Sequence, residues 1–358
     1  MHNPTLASAL AALGLATASL LPTSASAHTT SVGTDVAAAM NWTDGTKGAY
    51  LRRIGGNTIY SWNPNFQFEP ASAIKILHAV HAERQIQLGN ASVATTVAVP
   101  TTSTGSCPNE TPTTNQTLEF AIEKMMENSS NEHTEAIKDE FGQAALNATA
   151  GWLGAPSTML QHKVGCGGPL PNKMTLADAG RIYEEAFTED SVLNPTRRQH
   201  LWERMNNSTA KLADTANDEA QAHWGVNAPA GFLSGLKVAY KPGRYTICTN
   251  ADCSANKVYR ALAGYVEIPA KTSMIPIAPQ AQATLVPQVR LADDQPPVAQ
   301  PAPMLTVKRR YVFGIFIDGA THDPGDLFSA EYTSGLAQDN TFVALFRGEI
   351  KSALDSWL

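Results

Sequence analysis

The spacing of apolar residues changes character three times along this chain, and that pattern narrows the folds open to it. Residues 48–62, GAYLRRIGGNTIYSW, alternate as two short strands around a Gly55-Gly56 turn. After Pro70 the spacing becomes helical, with Ile74, Leu77, Val80, Ile86 and Leu88 near one face and a stop at Gly89-Asn90. A polar loop over 100–116 follows, then helices at 117–127, 132–141, from a Thr175-Leu-Ala-Asp178 capping box to Ala186, and near 195–205 and 210–222. Strand character returns at 236–240, 257–267 and 309–319, and residues 341–358 read as a closing helix. Strands at the two ends and helices in the middle build one mixed lobe from both termini, with an all-helical lobe inserted. The expectation is an α+β fold. An antiparallel sheet is flanked by N- and C-terminal helices, the helical lobe covers roughly 71–225, and the site lies in the cleft between the lobes.

The 358 residues suffice for such a core, and the net charge of −6 lacks the basic footprint of a nucleic-acid binder. Residues 5–21 are apolar and lead to Ala25-Ser26-Ala27, which reads as a secretory leader, residues 1–27, removed after Ala27. A secreted or periplasmic protein of residues 28–358 with no membrane span is expected. Four cysteines then allow three disulfide pairings. Cys248 and Cys253 flank the short TNAD loop and suit a hairpin tip, which leaves Cys107 for Cys166. Zinc is the rival use of such cysteines, but no matching His or Cys cluster accompanies them. Residues 269–305, with eight prolines from Pro269 through Pro303, read as an excursion between two neighbouring strands.

Three short motifs occur in order. Ser72-Ala-Ile-Lys75 opens a helix, Ser129-Ser130-Asn131 stands in the break between two helices, and Lys241-Pro242-Gly243 ends the first strand of the closing sheet. Each alone has a plain structural reading as a helix start, a cap or a turn. As an ordered set in these contexts they resemble the penicillin-recognising serine enzymes. The lead-in NPNFQFEPAS and the segment MMENSSN resemble the class A β-lactamase branch in particular. That resemblance covers nearly the whole chain after the leader, apart from the proline-rich excursion. It implies a β-lactamase/transpeptidase-like fold with Ser72 as nucleophile.

A serine hydroxyl needs a base. Lys75, one turn along, can serve if burial and a neighbouring cation, Lys241, lower its pKa. Ser129 would relay a proton to the leaving nitrogen, and Asn131 would hold a substrate carbonyl. By analogy with the family, the backbone N–H groups of Ser72 and Arg244 would form the oxyanion hole, with Gly243 beside them. No cofactor or metal is called for. The partner expected is a small molecule, a β-lactam or cell-wall peptide-like acyl donor, and the chain is expected to act as a monomer.

Three departures from the resemblance stand out. The family's deacylating glutamate lies on the loop after the Ser-x-Asn helices, but here no Asp or Glu occurs between Glu140 and Asp178. Asp178 itself belongs to a capping box. Pro242 lacks the hydroxyl that the family uses to hold a substrate carboxylate, for which Arg244 is a substitute cation. Ser130 replaces the usual Asp. A Cys107–Cys166 bridge would tie together two loops at the site entrance. No G-x-S-x-G is present, which counts against an α/β-hydrolase. His78, His81 and His162 read as structural, although His162 lies on the loop that lost its carboxylate. The expected function is an exported serine hydrolase acting on β-lactams or related amides and esters. The alternatives are a D,D-peptidase, an esterase, or a slowly deacylating penicillin-binding sensor.

Overall fold

The computed structural model describes residues 25–248, 256–273, 304–321 and 329–358. Helix α1 (Ala25–Met40) leads to strands β1 (Thr46–Arg53) and β2 (Thr58–Trp62), then to a 3-10 turn (Ala71–Ile74) continuous with α2 (Lys75–Gln87). Strands β3 (Thr96–Pro100), β4 (Ser103–Thr104), β5 (Cys107–Pro108) and β6 (Thr113–Thr117) follow. The middle of the chain holds α3 (Leu118–Glu127), α4 (Asn131–Phe141), α5 (Gln143–Trp152), α6 (Leu176–Thr188), α7 (Pro195–Glu203), α8 (Ala210–Trp224) and α9 (Ala230–Gly235). Strands β7 (Lys237–Cys248), β8 (Asn256–Ser273) and β9 (Met304–Thr321) and helix α10 (Ala330–Leu354) close it.

The main sheet is antiparallel with strand order β2-β1-β9-β8-β7, so the first and last parts of the chain pair with each other at its centre. Both faces are covered. Leu51, Val238, Leu262, Val266, Phe313, Ile315 and Ile317 share a core with residues of α1, α8, α9 and α10. Tyr50, Ala239, Ala261, Ala263, Tyr265, Val312 and Phe316 point the other way and join the core of the helical lobe. Strand β9 feeds both, which is why its sequence YVFGIFI is continuously apolar rather than alternating. Gly314 leaves room for α6, since a Cβ there would stand 2.9 Å from the Leu176 side chain. Helix α2 is buried on all sides from Lys75 to Glu83, as befits the central element of its lobe.

Several elements differ from the sequence expectation for identifiable reasons. The polar segment 100–116 is no free loop: β6 pairs with β3, and β4 with β5, so the helical lobe also carries two small ladders. Helices α5 and α9 went unread. The closing helix begins at Ala330, capped by the Ser329 side chain, because its first turns bury Ser334, Gln338 and Thr341 where apolar periodicity looks for hydrophobes. The β8–β9 hairpin extends past the expected strand ends, pairing Pro269 with Lys308 and Ser273 with Met304. A proline is tolerated there because β7 begins at Lys237, opposite Glu267, so one side of β8 lacks a strand partner beyond that point. The rest of the proline-rich excursion, and Cys253 with it, lies outside the described residues, as does most of the expected leader. Among the described residues no helix is long and apolar enough to cross a membrane.

Phe316 links the two lobes. It stacks on Phe68 at 4.6 Å and Phe66 at 5.3 Å, just upstream of the Ser72 turn, and Gly48 is bare beneath its ring. Phe316→Ala is expected to cost about 3–5 kcal/mol of unfolding free energy, read from the denaturant midpoint.

Candidate active site

The Ser72 turn is held from both sides. Its 3-10 turn starts with Ala71 at φ +47° and an Ala73 N–H to Pro70 carbonyl bond of 3.0 Å. Strand β7 crosses it so closely that a Cβ on Gly243 would fall 2.2 Å from the Pro70 oxygen and 3.0 Å from the Ser72 nitrogen. Only glycine fits the third position of Lys241-Pro242-Gly243, and this contact brings the third motif to the first. Because β7 is an edge strand, alternate N–H groups along it point away from β8.

Lys75 lies one step further along, with no solvent exposure. Its Nζ donates to the Ser129 carbonyl at 2.5 Å and to Asn131 Oδ1 at 2.7 Å, and it lies 3.3 Å from Ser129 Oγ. Ser129 reaches it because the break between α3 and α4 puts this residue in the left-handed region, φ +58°. Ser130 caps α4 by accepting the His133 N–H, and its hydroxyl also bonds Glu132 Oε2 at 2.7 Å. Lys241 is likewise buried, and its Nζ donates to the Met126 carbonyl at 2.8 Å. That carbonyl is in the last turn of α3, where a cation is favoured.

The protonation of the two lysines follows from this packing. Burial, the Lys241 charge and a smaller opposing influence of Glu132 bring the Lys75 pKa down to about 6, whereas burial alone brings Lys241 to about 8. Near neutral pH the site therefore holds an amine at Lys75 and an ammonium at Lys241. Sequence reasoning anticipated both causes for Lys75. It missed Glu132, whose only signal was adjacency to Ser129-Ser130-Asn131.

The Ser72 hydroxyl makes no hydrogen bond to Lys75 in this structure. Apo catalytic bonds are often long and tighten in complexes, so proximity along the turn, rather than a formed bond, is what supports the pair. Arg244 follows Gly243 on β7, but its side chain is exposed and its Nε lies 3.4 Å from Glu331. Glu331 is shared with Arg260 and Thr246.

The loop over 153–175, which lacks carboxylates, is organised by amides. Asn172 Oδ1 accepts the N–H groups of Gln161 and His162, while Gln143 and Asn147 hold the Leu160 carbonyl. The disulfide Cys107–Cys166 is present and joins this loop to the β4–β5 segment. Thr175 caps α6 by accepting the Asp178 N–H, and the Asp178 carboxylate accepts from Thr158, which accounts for it. His162 Nδ1 faces the Lys163 carbonyl at 2.8 Å, and its Nε2 lies 3.7 Å from Glu69. The Glu69 carboxylate facing it, against an opposing effect of burial, raises the His162 pKa. Glu69 was visible in the lead-in NPNFQFEPAS, but nothing local marked it as a partner for a residue on a distant loop. His78 and His81 are buried, one near the Ile74 carbonyl and the other on Thr149 Oγ1, and burial drives both pKa values down to about 3 and about 4. They are packing residues.

The sequence matches the model of the Beta-lactamase enzyme family over residues 31–256. No curated protein sequence matches the chain. Among solved structures, a beta-lactamase from Sphaerobacter thermophilus superposes with a TM-score of 0.53 at 18% identity, covering 89% of this chain and 97% of that one. PBP-A superposes with a TM-score of 0.56 at 16% identity, covering 88% and 94%. A PBP-A mutant in an acyl-enzyme complex with penicillin G gives 0.55 at 16% identity, covering 87% and 94%. Identities this low speak to fold.

Because Lys75 loses its proton near pH 6, a reaction that needs it as a base should rise through that region as pH increases, since only the unprotonated amine accepts a proton. Lys241→Ala removes the second cause of the depression and should move the rise to higher pH. Ser72 labelling rates followed against pH check both expectations.

Proposed function

Since this chain belongs to the Beta-lactamase enzyme family, we propose that it is a serine acyl-transfer enzyme of the serine beta-lactamase/penicillin-binding type, working through Ser72. The observation that carries this reading is the buried Lys75 amine one turn from Ser72, its pKa lowered to about 6 by burial and by the Lys241 charge beside it. Lys75 takes the Ser72 proton as the hydroxyl attacks a strained or activated acyl carbon. The backbone N–H groups of Ser72 and Arg244 receive the oxyanion. Ser129, 3.3 Å from Lys75 Nζ, returns the proton to the leaving nitrogen, so the proton gained by Lys75 leaves with the product amine. Asn131 holds the carbonyl arm of the substrate, and Gly243 leaves space for it beside β7. The substrate class is a β-lactam or a related amide or ester.

A second reading, a penicillin-binding sensor or peptidase that deacylates slowly, draws on the 153–175 loop. His162 is a poor water-activating base there, because one ring nitrogen faces a carbonyl and the other faces Glu69. Water activation in the acyl-enzyme then falls to Lys75 alone, and turnover is slow. Arg244, exposed and with its Nε facing Glu331, supplies the cation for a substrate carboxylate in place of a Pro242 hydroxyl.

Export belongs to the same proposal. Residues 1–27 act as a leader, and N-terminal sequencing of exported protein should begin at His28; a chain that keeps residues 1–27 after export would count against it. Intact-mass spectrometry with penicillin G tests the chemistry. An adduct of the mass of the drug is expected on the wild type and absent from Ser72→Ala. Persistence for minutes supports slow deacylation, decay within seconds a true hydrolase, and no Ser72-dependent adduct with penicillins or activated esters overturns the assignment.

A further inference from the structure

Lys75 can act as a base only if its lone pair is free, and the hydrogen bonds around it decide that. A neutral amine has two N–H donors and one lone pair. The Ser129 carbonyl and Asn131 Oδ1 are acceptors only, so they occupy both donors and leave the lone pair for a hydroxyl. The outcome depends on which end of the Asn131 amide faces Lys75. Turned over, its Nδ2 would donate into the lone pair and block it.

The Asn131 amide is held by a second layer of residues. Its Nδ2 donates to the Ser106 carbonyl at 2.7 Å, and the Ser106 hydroxyl donates to the Gly165 carbonyl at 2.7 Å. The reversed amide would set Oδ1 against the Ser106 oxygen, two acceptors with no proton between them. Gly165 has φ +88°, and a Cβ there would fall 2.1 Å from Asn131 Nδ2 and 2.2 Å from the Ser106 oxygen. Ser106 and Gly165 each precede one half of the Cys107–Cys166 disulfide, so the bridge fastens the two loops immediately beside this contact.

We propose that Ser106 and Gly165 are positioning residues for the base: through the Ser106 carbonyl they fix the Asn131 amide with its oxygen toward Lys75, and the disulfide keeps the two loops in register to do so. Lys75 sits on α2, Asn131 on α4, and the two positioning residues on the loops that flank them. The arrangement supplies to the site the order that a loop free of carboxylates does not. It rests on the proposed role of Lys75 as base, but its geometry concerns the free enzyme.

The test reads the titration of Lys75 directly, by carbon NMR of protein labelled at lysine Cε, with Lys75→Arg to assign the signal. Lys241 on β7, Glu132 on α4 and His78 on α2 are the charged or titratable groups facing Lys75, and all stay in place. Ser106→Ala, at an exposed position, removes the hydroxyl bond to the Gly165 carbonyl that holds the Ser106 backbone, and so lets the Ser106 carbonyl move off Asn131 Nδ2. Freed to turn, the Asn131 amide withdraws an acceptor from the ammonium and donates to the amine, and both effects move the Lys75 midpoint to lower pH. The Ser72 labelling rate at its pH plateau should fall about three- to tenfold, the worth of one hydrogen bond. Ser106→Thr, which keeps the hydroxyl, should restore both, with the unfolding midpoint unchanged throughout. Gly165→Ala and the double variant Cys107→Ser/Cys166→Ser should shift the Lys75 midpoint in the same direction. A Lys75 midpoint that stays at the wild-type pH in Ser106→Ala and in the folded Cys107→Ser/Cys166→Ser protein overturns the proposal. A shifted midpoint in a protein that penicillin never acylates supports the positioning role and removes only the β-lactam reading.

Discussion

An amine with no solvent exposure stands at the centre of this protein, and much of the surrounding structure follows from keeping it there. An isolated ammonium in that position would lose its hydration, so the group sheds its proton. The helix that carries it is buried on every side, and Ser129 adopts a left-handed backbone to aim a carbonyl at it. The second lysine keeps its charge more readily because burial alone lowers its pKa, whereas Lys75 is lowered by burial and by the Lys241 charge as well. Two lysines of one motif set thus acquire different protonation states from different surroundings, and the difference gives the site both a base and a fixed positive field.

Backbone makes the closest contacts around the site, while the Arg52–Glu184 ion pair also joins the sheet to α6. Gly243 meets the Ser72 turn, and Gly165 meets Asn131 and Ser106, both at distances where any side chain would collide. Phe316 provides the apolar counterpart, joining the sheet to the segment that leads into the nucleophile. Where the family resemblance implies a carboxylate on the 153–175 loop, this chain uses a disulfide and a group of asparagine and glutamine side chains. Neutral amides can satisfy backbone groups and fix a loop, but they cannot accept a proton from water near neutral pH. Holding the loop and activating water are separate tasks, and only the first has an evident replacement.

Much of the architecture was legible along the chain because it is local. Short apolar strand patterns marked β1, β2 and the cores of the long strands, while the Thr175-Leu-Ala-Asp178 capping box marked the start of α6. The start of α10 was hidden because small and polar residues line its buried side, and α9 is too short to show a period. Within the site, the three motifs were readable in order, and so was the Cys107–Cys166 pairing. Glu132, Glu69 and Ser106 were not, since their importance lies in neighbours that the chain reaches only after folding.

The sequence by itself determined the residue types and local frames: a serine one turn from a lysine, a polar break between two helices, a glycine following a strand lysine. Only the tertiary structure decided what those residues are chemically. The Lys75 pKa depends on burial by a lobe made from several helices and on a cation carried by β7, and its proton acceptors come from a loop 54 residues away. Desolvation and Coulomb interaction act through space, and no reading along the chain contains those distances.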